Sequence, residues 1–234
     1  LSPKLQEKLD YTYLLLLISG GHSQFLSVNA LGNYTRLGTT IDDAVGEAFD
    51  KTAKILGVEY PGGPKIELLA KKGNPNKFDL PLPIINRGGC NLSFAGLKTA
   101  VLRLSKNIKN EQDKFDIAAS FQSTVEKIFF KKTEIAFKEY LERNKNLNKN
   151  LVVAGGVAAN MGLRETIKNV SKKNGFRVIF PSLSLCGDNA AMIAMVGLEK
   201  FKIKNFDNQD LKANPRWQLD ANAGFLKGAG VNLK

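Results

Sequence analysis

Two short apolar runs, each followed by a pair of glycines, constrain the fold of this chain more than any other feature. The first is LLLLISGGH at 14–22, and the second is LVVAGGVAAN at 151–160. An apolar run that ends at small residues predicts a buried strand opening into a tight turn. Because glycine has no Cβ, such a turn lets an anion approach the backbone N–H groups closely. The pair suggests one ligand held from two sides, although glycine pairs of this kind also occur for packing alone.

Composition limits the class of protein and the kind of site. The 234 residues suffice for one large domain or two small lobes, and no apolar run reaches the ~20 residues of a membrane helix. The first residues carry no secretory signal and begin abruptly before a strand, so we expect a cytoplasmic chain that lacks an N-terminal part. Cys90 and Cys186 fit no zinc or disulfide pattern, and His22 is the single histidine, which excludes an HExxH site.

The net charge of +12 has two explanations that the sequence leaves open. A strongly basic protein is suited to a polyanionic partner such as tRNA. The lysines are scattered along the chain rather than gathered in one block, however. A lysine-rich proteome encoded by an AT-rich genome would produce the same charge balance.

Hydrophobic periodicity predicts a β-meander, a helical middle and a βαβ unit. The meander has strands at 12–18, 24–29 and 34–37. Helices are predicted at 42–56 and at 64–72, followed by a helix that ends at residue 104 and a long helix at 113–143. The apolar and aromatic stripe of the long helix is expected to be core. A strand at 151–154, a helix at 160–173, a strand at 176–180 and a helix at 188–201 complete the chain.

Carboxylates on the first predicted helix are candidate acceptors for a ligand. Asp43, Glu47 and Asp50 fall at i, i+4 and i+7, which predicts that they share one helix face, with Lys51 about a quarter turn away. A solvated acidic face is the simple interpretation. Hydrogen bonds from ribose hydroxyls to these carboxylates are the alternative.

Asp188 precedes the last predicted helix in the sequence CGDN. An aspartate at this position is typical of a helix N-cap. The same position can present a carboxylate to a metal ion as one hard oxygen ligand. Both interpretations stay open on the residues alone.

Seven motifs occur together and in one order along the chain. They are LISGGH at 17–22, IDDAVGEAFDKTAKILG at 41–57, YPGGP at 60–64, LSFAGLKTA at 92–100, AGGVAAN at 154–160, CGDNAAMIA at 186–194 and PRW at 215–217. In this combination the sequence resembles the bacterial branch of the TsaD family (formerly Gcp), the tRNA N6-adenosine threonylcarbamoyltransferases. The resemblance covers nearly the whole chain except its C-terminal end.

The resemblance implies an α/β fold of the actin-like ATPase (ribonuclease H-like) class with an incomplete N-terminal lobe. It also implies an approximate domain division. The expected parts are a remnant of the N-terminal lobe at 1–40, a helical insertion with linking helices at 41–150, a C-terminal α/β lobe at 151–220 and a tail at 221–234.

The activity that the resemblance implies is transfer of the threonylcarbamoyl group from threonylcarbamoyl-AMP to N6 of adenosine 37 in tRNAs that read ANN codons. Carried over by position, the residues implied to line the adenylate site are Leu17, Ile18, Ser19, Gly20, Gly21, Asp50, Gly63 and Asn160. Asp188 is the implied ligand of one divalent metal ion, Fe²⁺ or Zn²⁺. The implied partners are tRNA, a paralogous TsaB-type subunit and a small TsaE-type ATPase, in the cytoplasm and without a membrane.

One departure from the family pattern bears on activity. The HxxxH motif whose histidines bind the metal in that family does not occur in this sequence, and Leu17 stands where archaeal relatives have a ligating tyrosine. An inactive fragment, or a split-gene piece that needs an N-terminal complement, is therefore the alternative prediction. A metallopeptidase, as the old family label suggests, is disfavoured because there is no HExxH and no second histidine.

Overall fold

A mixed five-stranded sheet organises the chain, whose computed structural model describes residues 9, 11–143, 148–208, 210, 212 and 217–224. The strands are β1 (Tyr13–Ile18), β2 (Ser23–Ala30), β3 (Asn33–Thr39), β4 (Asn150–Ala154) and β5 (Arg177–Ile179). Their order is β3-β2-β1-β4-β5. β1, β2 and β3 pair antiparallel, whereas β4 is parallel to both β1 and β5. The α/β class with a ribonuclease H-like sheet is confirmed.

The centre of the sheet follows from the apolar run that opens the chain. In β1, buried residues alternate with half-buried ones, and Leu14, Leu16 and Ile18 are fully buried. This period of two places one row of leucines and isoleucine on the core face. The β-meander and the parallel β4–β5 unit are therefore present as predicted, with boundaries shifted by one or two residues.

Six α-helices accompany the sheet in the described part of the chain. They are α1 (Val45–Ile55), α2 (Gly62–Ala70), α3 (Ala95–Ser105), α4 (Glu111–Arg143), α5 (Met161–Lys173) and α6 (Ala190–Lys202). The aromatic stripe of α4 is core, as predicted. Phe121 packs edge-on against Phe49 of α1 with ring centroids 5.1 Å apart, and Phe129 stacks on Phe94 at 5.8 Å.

α1 begins three residues later than the periodicity predicts, because tertiary contacts occupy the preceding turn. The Asp42 carboxylate accepts hydrogen bonds from the backbone N–H groups of Phe94 (2.8 Å) and Ala95 (3.3 Å) at the start of α3. The hydroxyl of Ser23 accepts the Val45 N–H at 2.9 Å. The Asp42 carboxylate therefore binds the N-terminus of α3. The Val45 N–H, which has no acceptor within α1, donates instead to Ser23 of β2.

The sheet unites two segments that were predicted to lie in different lobes. β1 pairs with β2 on one side and with β4 on the other, so segments 13–39 and 150–179 share one sheet. The predicted boundary at residue 40 consequently does not separate two sheets. The predicted domain boundaries stay predictions, and most of the 221–234 tail lies outside the described residues, as do Pro215 and Arg216 of the PRW motif.

α6 differs from the other helices in its exposure. It is apolar, yet Ile193 is 67% exposed and Phe201 is 66% exposed, and no residue of α6 is fully buried. The residues that the structure describes leave this helix uncovered. None of the described helices combines the length and the apolar character that a membrane span requires.

Candidate functional site

The two glycine turns meet at one edge of the sheet. β1 and β4 are parallel neighbours, with Leu17 paired to Ala154, so both strands end on the same side. A Cβ on Gly155 would lie 2.2 Å from the Ile18 carbonyl oxygen, and its φ is +97°. Only glycine allows this approach of the second turn to the end of β1. Gly155 therefore has a packing role, which was the alternative explanation for a glycine pair.

A cavity of about 430 Å³ lies beside the two turns. One glycine of each pair lines it, Gly20 from the first turn and Gly156 from the second. Of the other residues implied by the resemblance, Asp50, Gly63 and Asn160 also line it. The remaining wall is largely apolar and comes from Phe49, Tyr60, Pro61, Pro64, Val157, Ala159 and Leu183. The structure thus brings four of the eight predicted adenylate residues to one cavity.

The other four predicted residues belong to the strand end and its turn rather than to the cavity wall. Ile18 is fully buried in β1, and Leu17 is half-buried there. The Ser19 hydroxyl accepts the N–H groups of Gly21 (3.2 Å) and His22 (3.0 Å). The Gly21 N–H therefore already has an acceptor, and Gly20 is the residue of the first turn that lines the cavity.

Gly46, a residue that sequence reasoning missed, sets the distance between α1 and the first turn. Its N–H donates to the Ser19 carbonyl at 3.2 Å. A Cβ at this position would lie 2.7 Å from that carbonyl oxygen and 2.8 Å from the Gly20 backbone. The glycine of AVGEAF was a visible signal, since glycine is unfavourable inside a helix unless packing requires it.

Asp50 holds the YPGGP turn against α1. Its Oδ1 accepts the N–H of Gly62 at 2.8 Å, which caps the start of α2. A carboxylate has about four acceptor positions, so this bond leaves acceptor capacity for a ligand in the cavity. α2 accordingly begins at Gly62, two residues before the proline that the sequence suggested as its start.

The other two predicted acidic residues, Asp43 and Glu47, both pair with one lysine. The Lys51 ammonium lies 2.7 Å from Asp43 and 2.8 Å from Glu47. These hydrogen bonds, Asp43 first, raise the pKa of Lys51. The predicted separation of Lys51 from the acidic face is wrong, because Asp43 precedes α1 and folds back over it. Of the three carboxylates, Asp50 alone lines the cavity beside the two glycine turns.

Asn160 is fixed in orientation by a buried network. As the N-cap of α5, its Oδ1 accepts the Leu163 N–H at 2.9 Å. The same oxygen accepts from Gln122 Nε2 at 3.0 Å, and Asn160 Nδ2 donates to Gln122 Oε1 at 3.1 Å. Gln122 Nε2 also donates to Glu126 at 2.8 Å. This reciprocal amide pair fixes the orientation of the Asn160 side chain, and Gln122 was not singled out from the sequence.

A second carboxylate, Glu67, lies at the cavity and was also missed. Its Oε1 accepts the N–H groups of Met161 (2.7 Å) and Gly162 (3.3 Å), so it occupies the N-terminus of α5. Glu126 lies on the other side of the same turn, where a Cβ on Gly162 would come within 2.2 Å of its carboxylate. Burial raises the pKa of Glu126, the hydrogen bond from Gln122 opposes that rise, and the charge of Glu67 adds to it.

The predicted metal ligand lies apart from this arrangement. Asp188 is exposed and does not line the cavity. The N-cap of α6 is Asn189, whose side chain accepts the Met192 N–H at 3.0 Å, so the capping interpretation of Asp188 is wrong. Within the described ranges, no three His, Cys, Asp or Glu side chains are placed to hold a metal ion. The residues present therefore do not fit the implied iron or zinc ion, because one carboxylate cannot define its coordination.

Comparison with known proteins decides the family. The family model for TsaD, tRNA N6-adenosine threonylcarbamoyltransferase, matches residues 1–195. The chain belongs to the TsaD family. The tRNA N6-adenosine threonylcarbamoyltransferase of Pelagibacter ubique (strain HTCC1062) is 68% identical over 234 residues, which cover 100% of this chain and 65% of that protein. The enzyme of the same name from Rickettsia massiliae (strain Mtu5) is 51% identical over 223 residues, or 94% of this chain and 65% of that protein.

This TsaD-family chain thus spans 65% of the length of these curated relatives. Among solved structures, HypF of T. kodakarensis matches with a TM-score of 0.49 and 22% identity, over 74% of this chain and 21% of HypF. The membership in the TsaD family rests on the family model and the two enzymes, not on this structural match.

Proposed function

We propose that this chain supplies the adenylate-binding site for transfer of the threonylcarbamoyl group from threonylcarbamoyl-AMP to N6 of adenosine 37 in tRNAs that read ANN codons. The family membership and the names of the relatives support this reaction. The observation that carries the proposal is the single cavity lined by Gly20, the YPGGP turn, Gly156 and Asn160. These residues come from motifs far apart in the sequence.

The chemistry of the cavity wall suits a nucleoside. Pro61, Val157 and Ala159 offer apolar surface against which a purine can pack. Asp50 and Glu67 are carboxylates on the same cavity and can accept hydrogen bonds from ribose hydroxyls. A mainly apolar cavity with a few convergent polar groups is typical of a small-molecule site.

The position of Glu67 supports one placement of the phosphate in this proposal. A helix N-terminus is ordinarily an anion site, because its free N–H groups and dipole favour negative charge. At α5 that place is taken by the Glu67 carboxylate, which accepts from Met161 and Gly162. A phosphate there would meet a like charge. We therefore place the phosphate at the first glycine turn, beside Gly20, with the ribose between Asp50 and Glu67.

In this arrangement the chain's residues bind and orient the donor. The N6 amine of the acceptor adenosine attacks the carbamoyl carbonyl carbon, the bond from that carbon to the phosphate oxygen breaks, and AMP leaves with the electron pair while the amine loses a proton. We propose tRNA as the acceptor in the cytoplasm, together with a TsaB-type subunit and a TsaE-type ATPase. For these partners the support is the family resemblance.

Binding of AMP to the purified 234-residue chain tests the proposal by isothermal titration calorimetry. Gly63 lies in α2 and lines the cavity, and a Cβ added to it would meet no atom within 4 Å, so Gly63→Val fills space that a nucleotide would need. We expect at least a tenfold loss of AMP affinity. Gly197→Val is the matched control, because Gly197 is also helical with open space around its Cβ position and lies away from the cavity.

Both variants should unfold in urea at wild-type concentrations, since a Cβ at either position meets no atom within 4 Å. Undiminished AMP binding by Gly63→Val, or no AMP binding by the wild-type chain, would contradict the assignment of this cavity. Equal losses in the two variants would contradict it as well.

A further inference from the structure

A second cavity adjoins the first on the outer side of α1. Its volume is about 440 Å³, and it shares Gly20, Asp50 and Tyr60 with the adenylate cavity. Lys54 and Val58 belong to the second cavity and not to the first. The two cavities therefore meet along a ridge formed by the first glycine turn, Asp50 and Tyr60, so ligands in both would be neighbours.

Tyr60 is the most exposed aromatic side chain at this ridge. The residue is 82% exposed, although it is the first residue of the otherwise tightly held YPGGP turn. Pro61 and the bond from Gly62 to Asp50 fix the backbone that follows it. An aromatic ring held on a rigid turn but left uncovered is a platform on which a planar group can stack.

The charges around the second cavity leave one available cation. Lys51 is engaged by Asp43 and Glu47. Lys54 is exposed, and it forms no ion pair with any residue that the structure describes. Lys54 attracts a phosphate to the side of the second cavity that lies away from the ridge. A bound group should consequently have its planar part at Tyr60 and its anionic part at Lys54.

We propose that this second cavity binds one nucleotide of a single-stranded RNA loop, with its base stacked on Tyr60 and its phosphate at Lys54. The proposal rests on the proposed function, because it assigns to the acceptor RNA a subsite beside the donor adenylate. Aromatic rings that stack unpaired bases, next to cations that contact the backbone, are the common means of recognising single-stranded RNA. Val58 and the Tyr60 ring supply the apolar surface, and the net charge of +12 favours a polyanion such as RNA over an uncharged partner.

Fluorescence anisotropy with a labelled, short single-stranded RNA tests this subsite on the 234-residue chain. Tyr60→Ala should weaken RNA binding about tenfold, the order expected for one lost base stack, whereas Tyr60→Phe should retain it. Lys54→Glu should weaken binding more than Lys127→Glu, which makes the same charge change on the exposed face of α4, away from both cavities. Circular dichroism checks that each variant is folded.

A second arm adds saturating AMP to the RNA complex. If the RNA has its own subsite, AMP leaves it bound. Displacement of the RNA by AMP would place it in the adenylate cavity and overturn the proposal. Equal effects of Lys54→Glu and Lys127→Glu, or no difference between Tyr60→Ala and Tyr60→Phe, would overturn it too, because binding would then follow net charge alone. A wild-type chain that fails to bind AMP but shows the expected Tyr60 and Lys54 effects would refute the adenylate assignment while supporting the RNA subsite.

Discussion

Gly155 and Gly156 are adjacent in sequence, yet the structure gives them opposite sensitivities to substitution. Gly155 has φ +97° and ψ 166°, a region that is essentially restricted to glycine. A Cβ there would be 2.2 Å from the Ile18 carbonyl oxygen and 2.8 Å from its carbon, both backbone atoms that cannot rotate away. Gly156 has nothing within 4 Å of its Cβ position and lines the adenylate cavity.

Two costs add for Gly155→Ala. A non-glycine residue held in this backbone region costs about 1–3 kcal/mol. Forcing β1 and β4 apart at their carboxyl ends is overpacking, which costs about 1–3 kcal/mol more. We therefore expect a loss of about 2–6 kcal/mol from the free energy of unfolding, against a total of about 5–15 kcal/mol for an ordinary domain.

Urea unfolding followed by circular dichroism measures this loss as a lower midpoint. Gly156→Ala is the matched control and should keep the unfolding free energy within about 0.5–1 kcal/mol of wild type, while its methyl group reduces AMP affinity. If Gly155→Ala and Gly156→Ala lower the midpoint equally, the close contact between the second turn and β1 is not a determinant of stability. The division of the pair into a packing glycine and a ligand glycine would then be refuted.

Three further predictions follow from single contacts. Gln122→Met removes the amide pair that orients Asn160 and should cost about 2–4 kcal/mol of stability and weaken AMP binding, measured by urea unfolding and calorimetry; wild-type values in both would contradict the positioning role. Hydrogen bonds from the Asn74 N–H and Gln112 lower the pKa of Asp116. The stability that these bonds contribute above about pH 4 should therefore be lost as the pH falls. Urea midpoints measured between about pH 3 and 6 should fall less steeply toward low pH for Asp116→Asn than for wild type. After dialysis the chain should retain no stoichiometric iron or zinc by elemental analysis, because Asp188 is its one implied ligand; near-stoichiometric metal would contradict this.

Local pattern was enough to predict the elements. The leucine run of β1 and the helical period of α4 are properties of neighbouring residues, and both elements appear at the expected place. Element ends were less predictable. The start of α1 depends on Asp42 binding α3 and on Ser23 binding Val45, contacts between residues distant in sequence.

The sequence by itself determined that two strands would end in glycine turns, that Asp50 would follow on a helix, and that the family motifs would be present in order. Only the tertiary structure decided the role of each residue. Parallel pairing of β1 with β4 brings the turns together, makes Gly155 a packing residue and leaves Gly20 and Gly156 at the cavity. Glu67 of α2 accepts hydrogen bonds from the start of α5, a long-range contact that no local period encodes. The helices and strands could be predicted because their patterns lie in neighbouring residues. The site could not, because its hydrogen bonds and close contacts join residues that are distant in the sequence.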